Sequence, residues 1–181
     1  MDILAPDRPE PIGIGSPSPK FRMRRAILWV LTALAAAIGG WSMIWPAQWY
    51  ATFPDGVADG MLGQWILADG PFNEHLIRDV GAMYLALAGA GVVAALSTSV
   101  TAMRAVGVAW IVFSAPHLFY HLLHLHGLDA VDAVVEPISL ALTVVLPVPL
   151  LFPARSRPRS RAHTRTAPAD SHAVTLEGSP S

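Results

Sequence analysis

The stretch AILWVLTALAAAIGGWSMIW, residues 26–45, runs for twenty residues without a charge. At about 1.5 Å of rise per residue, a helix of that length covers about 30 Å, the thickness of a bilayer's hydrocarbon core. Hydrocarbon offers the backbone no hydrogen-bond partners, so a chain that spans it is confined to helices or a closed barrel. Three further apolar stretches follow, at 80–96, 105–125 and 134–152. Charged residues make up 14% of the chain, against ~25% in an ordinary soluble domain. The fold class expected is therefore all-α, an integral membrane four-helix bundle. A cleaved leader has a shorter apolar core ending at a small-x-small site. Ala35 and Ala37 imitate such a site, but the apolar run continues past them. The first stretch is read as a retained span.

Residues 1–24 hold five prolines and end in a basic cluster. Residues 154–181 are rich in arginine, serine, proline and threonine. Neither has an apolar period that would offset ordering entropy, so both are expected to be disordered tails flanking a bundle at 25–153. Charge is segregated along the chain. Lys20, Arg22, Arg24 and Arg25 precede the first span, Arg104 lies between the second and third, and Arg155, Arg157, Arg159, Arg161 and Arg165 follow the fourth. With four spans these all fall on one side, and the positive-inside rule makes that side the cytoplasm. The opposite loops hold Asp55, Asp59, Asp69, Glu74, Asp129 and Asp132. The expected location is the inner (plasma) membrane, multi-pass, with both termini cytoplasmic. Eleven arginines against one lysine, with abundant alanine, match the coding bias of a GC-rich bacterial genome. The aromatic loop at 46–77 carries Trp49, Tyr50, Phe53 and Trp65, which with Trp45 suit headgroup depth. It is read as a lid on the bundle, with MLGQWIL as a short interfacial helix and a gate over a cavity as the alternative.

The third span ends in PHLFYHLLHLHG, four histidines within ten positions. Each helical residue turns about 100°, so His117, His121 and His124 share one narrow arc while His126 falls on the far side. Ionisable groups in a span normally face the bundle interior or a water-filled cavity. Pro116 leaves the carbonyl of Val112 without its helical donor and favours a bend just before the first of these rings.

Span two opens with NEHLIRDVGAMYLALAG. Asn73 is a candidate cap, and Glu74 and Arg78 stand four apart in the favourable order. His75 and Asp79 begin a stripe that continues through Ala82, Ala86 and Ala90. Alanine at that spacing lets backbones approach, so this face is expected to be the packing face. In span four, Pro137 is expected in the first helical turn with Glu136 as cap or first-turn acid. Asp129 and Asp132 read as helix-end residues. Together, Glu74, His75, Arg78, Asp79, His117, His121, His124 and Glu136 are expected to form a polar cluster at one depth in the outer half of the bundle.

Three roles suit such a cluster. As a metal or haem site, His117, His121 and His124 would be the ligands, with Asp79 or Glu136 supplying an oxygen or a supporting hydrogen bond. As a small-molecule site, it would hydrogen-bond a quinone or lipid headgroup. As a structural device, it would fix helix register in an accessory protein that meets a membrane partner or its own copy. The structural, non-enzymatic role is the primary expectation, and a metal-, haem- or quinone-binding redox-associated subunit is the alternative. Soluble catalysis finds no support. The chain has no cysteine, no G-x-S-x-G and no glycine-rich phosphate loop, and His117 is followed by Leu118, so HExxH is absent. The basic C-terminal run is read as a topology anchor meeting anionic headgroups, not as a nucleic-acid patch.

The layout over residues 22–153, with four short spans, an aromatic outer loop and the polar-then-small opening at 73–89, resembles small bacterial DoxX-like membrane proteins. The resemblance implies a four-helix membrane fold and, for some members, a link to quinone or thiol redox systems. The histidines at 117–126 are not part of what carries it.

Overall fold

The structure is a computed structural model and describes residues 18–57 and 60–152. The described residues form seven helices and no strand. Most of the two expected tails, including the arginines at 155–165, lies outside the described residues, as does Asp59.

Helix α1 (Pro19–Ile44) is launched by Ser18, whose hydroxyl accepts from the Phe21 N–H, and by Pro19, which has no N–H to leave unpaired at the first position. The helix therefore begins five residues before the boundary expected at 24. The basic cluster forms its first turns and is not part of a tail. Pro46 cannot continue α1 and instead opens α2 (Pro46–Thr52). A short α3 (Trp65–Asp69) follows, smaller than the interfacial helix expected over MLGQWIL. Asn73 accepts from the Leu76 N–H at 3.1 Å and starts α4 (Glu74–Leu96), as expected. Helix α5 (Val100–Leu123) continues through Pro116. Helices α6 (Asp132–Val145) and α7 (Val148–Leu151) share the fourth apolar segment, broken at Pro147. Among the described residues, four segments are long and apolar enough to cross a membrane: Pro19–Ile44, Glu74–Leu96, Val100–Leu123 and Asp132–Leu151.

Helix α1 packs along α4, and α5 joins α4 to the α6–α7 segment. Glycine sets the first of these contacts. A Cβ on Gly39 would fall 2.8 Å from the Gly81 carbonyl oxygen and 2.9 Å from the Leu85 nitrogen, so the two backbones touch. The buried face of α4 runs through Ile77, Gly81, Tyr84, Ala88, Gly91 and Ala95. The expected packing stripe of His75, Asp79, Ala82, Ala86 and Ala90 is exposed instead. Glycine permits a closer helix approach than alanine, and the glycine-bearing face took the interface.

The apolar core gathers Leu28, Leu31 and Ala35 of α1, Ala88, Ala94 and Ala95 of α4, Met103, Val106 and Trp110 of α5, and Leu150 of α7. Most of these lie toward the basic end of the bundle. The fourth span contributes little to this core. The buried residues of α6 are Asp132 and Glu136, both acids near its start, and below them Pro147 and Leu150 are buried. The expectation for Pro137 is also corrected. The Asp129 carboxylate accepts from the N–H groups of Val131 and Asp132 at 2.8 and 2.9 Å, so the helix starts a turn earlier. Pro137 then lies inside α6, and Glu136 is an interior residue of the helix.

Candidate functional site

The end of α5 meets the beginning of α6 at a buried pair. His121 Nδ1 lies 2.9 Å from Glu136 Oε1, with the side chains only 8% and 4% exposed. Ionisable groups can occupy an apolar interior when each is matched by a partner and a hydrogen bond, and this pair meets that condition. One turn back along α5, the His117 ring stands edge-on to His121 at 4.7 Å and stacks on Phe113 at 5.4 Å. Phe113 in turn meets Tyr84 edge-on at 5.2 Å, and Tyr84 meets Trp110. A column of rings thus leads from the core of the bundle to the polar pair.

Above the pair, α2, α3 and the described residues between them, 53–57 and 60–64, form a roof. Phe53 is its hub, with ring contacts to Trp41, Trp49 and Trp65. Asp132 fastens the roof to the fourth span. One carboxylate oxygen accepts from the Gly63 N–H at 2.8 Å, the other from the Trp65 indole N–H at 2.9 Å, and Asp132 is 2% exposed. Trp49 and Trp65 are therefore buried roof residues, not headgroup anchors, whereas Trp45 is exposed as expected.

Beneath the roof and among the four spans lies a cavity of about 340 Å³. Its lining is apolar and aromatic except for His117, His121, Glu136, Ser139 and Thr143. The two hydroxyls donate to their own helix, Ser139 to the Val135 carbonyl and Thr143 to the Leu140 carbonyl. The polar face offered to a guest is thus the histidine–glutamate wall. In the roof, the Trp49 indole nitrogen is buried with no hydrogen-bond partner among the described residues. A second chamber of about 480 Å³ lies beside the first, toward Tyr50, Asp69 and Asn73. Trp49, Ile66, Val80, His117 and His121 line both chambers. At the second chamber, partial desolvation pushes the carboxyl of the exposed Asp69 upward. Glu136 pushes it the same way, while His121 and His124 pull it down.

Of the eight residues expected to cluster, His117, His121 and Glu136 meet at the cavity. Glu74 and Arg78 form their own pair at 2.8 Å on α4, and Arg78 also donates to the Met43 carbonyl, tying α4 to the end of α1. His75 and Asp79 pair with each other at 3.4 Å on an open face, 89% and 61% exposed. His124 falls just past the end of α5, where its Nδ1 lies 2.7 Å from the Tyr120 carbonyl and its ring stacks on Tyr120. His124 is thus not brought together with His117 and His121 at one point. Among the described residues no three histidine or carboxylate side chains are gathered as metal ligands. His121 pairs with Glu136, and His117 stacks on Phe113.

Asp132 stands with Glu136 among the outer-end polar residues of span four, but its clamp on Gly63 and Trp65 is not part of the expectation. Its signal was present as a polar stripe on α6, Asp132, Glu136, Ser139 and Thr143, at spacings of four, three and four. No family model, curated protein or solved structure matches this chain.

Proposed function

We propose that this chain is a multi-pass protein of the bacterial inner membrane that binds a small planar amphipathic molecule of the quinone class, without catalysing a reaction of its own. Lys20, Arg22, Arg24, Arg25 and Arg104 at one end of the bundle and the carboxylates at the other support cytoplasmic termini. The observation that carries the reading is the buried His121–Glu136 pair, set in the wall of a largely apolar, ring-lined cavity. The volume of about 340 Å³ lies within the range of small-molecule sites, which combine apolar walls with a few fixed polar groups. A quinone suits this environment. Its ring packs among Phe53, Tyr84, Trp110 and Phe113, and its carbonyl oxygen can accept from an imidazole or indole N–H. The DoxX-like resemblance is compatible with an accessory subunit beside a membrane redox partner.

A second reading has its own support. Asp132 and Glu136 are the buried residues of α6, so the polar contacts also serve to hold the fourth span in register. The two readings separate in one experiment. A soluble benzoquinone is titrated into the detergent-purified full chain, and quenching of tryptophan emission is followed, since Trp49, Trp65 and Trp110 line the cavity. Saturable quenching that weakens about tenfold or more in folded Glu136→Gln supports binding at the pair. Quenching that rises linearly, as by collision alone, leaves only the structural role.

A further inference from the structure

The roof and the side of the cavity are closed in different ways. Toward the loops, the cavity is covered by the Asp132 clamp and by the packed rings of Trp49, Phe53 and Trp65. On the side, the wall is made by Leu34 and Ile38 of α1 and by Ser139, Leu140 and Thr143 of α6, every one of them only half-buried. Helix α1 packs chiefly on α4 and α6 chiefly on α5, so neither helix seals this wall against the other. Between Glu136 and Pro147 no residue of the fourth span is fully buried, while Ile138, Leu142 and Val145 beside the wall are exposed. This seam lies within two apolar spans, at a depth where the surroundings are hydrocarbon.

We infer that the molecule held in the cavity carries a long apolar chain, which lies in the seam between α1 and α6, and that it enters sideways from the bilayer. The inference rests on the reading of the cavity as a ligand site and adds the ligand's shape and origin to it. A chain in the seam covers the half-buried wall with methylene groups while the ring stays beside His121 and Glu136. The hydrogen-bonded roof then has no need to open.

The test compares two probes on the full chain in detergent: 2,3-dimethoxy-5-methylbenzoquinone and the same ring bearing a decyl chain. The decyl compound should bind about tenfold tighter or better, the gain expected from burying about two methylenes. In Leu140→Trp, where an indole fills the seam, that ratio should fall to near one whatever happens to the ring probe. Leu34→Trp approaches from the other helix and serves if the first variant does not fold. A ratio near one in the unmodified protein, or a ratio that survives both substitutions, overturns the seam as the chain's site while leaving the ring site standing. Failure of both probes to bind removes the ring site and the seam together.

Discussion

The pair at 2.9 Å between His121 and Glu136 is where single substitutions should act most strongly. Removing one member leaves the other buried and unmatched, so Glu136→Ala should destabilise the fold by about 3–5 kcal/mol, read in reversible unfolding in mild detergent. Replacing both with leucine removes the mismatch, and stability should return close to that of the unmodified chain. Asp69 gives a pH prediction with a defined sign. Asp69 is itself exposed, but partial desolvation beside the second chamber raises its carboxyl in the folded state, so its proton is held slightly more tightly folded than unfolded. Its contribution to stability is therefore fully present below the ordinary carboxylate range and is lost as pH rises through the raised value. Asp69→Asn should melt slightly higher than the unmodified chain at neutral pH, and the difference should vanish in acid. A difference that grows in acid would reverse the assignment.

At the level of elements, the fourth span depends on its two acids. Asp132→Ala removes the acceptor for two N–H donors, each such charged bond contributing about 1.5–3 kcal/mol. Amide exchange across 60–66 should accelerate sharply while α1 and α4 keep their protection. The α1–α4 contact should fail differently. Gly39→Leu drives a side chain into the backbone of Gly81 and Leu85, and the loss of fold should be global. The elements also show what could be read from residue order. Uncharged length fixed the four spans, and Asn73 marked the start of α4, because both signals are local. The packing face of α4 was misread because glycine and alanine stripes both occur there, and only the partner helix decides between them. His124 was placed with His117 and His121 on a helical wheel, but α5 stops at Leu123 and the wheel no longer applies. The α6 stripe of Asp132, Glu136, Ser139 and Thr143 was readable by spacing. It was obscured by the assumption that Pro137 begins the helix.

For the whole molecule, orientation is directly testable because the chain has no cysteine of its own. A single cysteine at Met61, which is 88% exposed, should react with a membrane-impermeant maleimide in intact spheroplasts. One at Thr98, exposed in the turn between α4 and α5, should react only after permeabilisation. The bundle combines a packed core toward its basic end with an aromatic cavity toward its loops, and the histidine–glutamate pair is the polar wall of that cavity. The decisive measurement is therefore quinone titration of the double His121→Leu/Glu136→Leu chain beside the unmodified one, both checked for helix content and thermal stability. Saturable binding in the unmodified protein and its loss in the stably folded double variant is the predicted result. Equal binding by the two proteins, or saturable binding by neither, would contradict it.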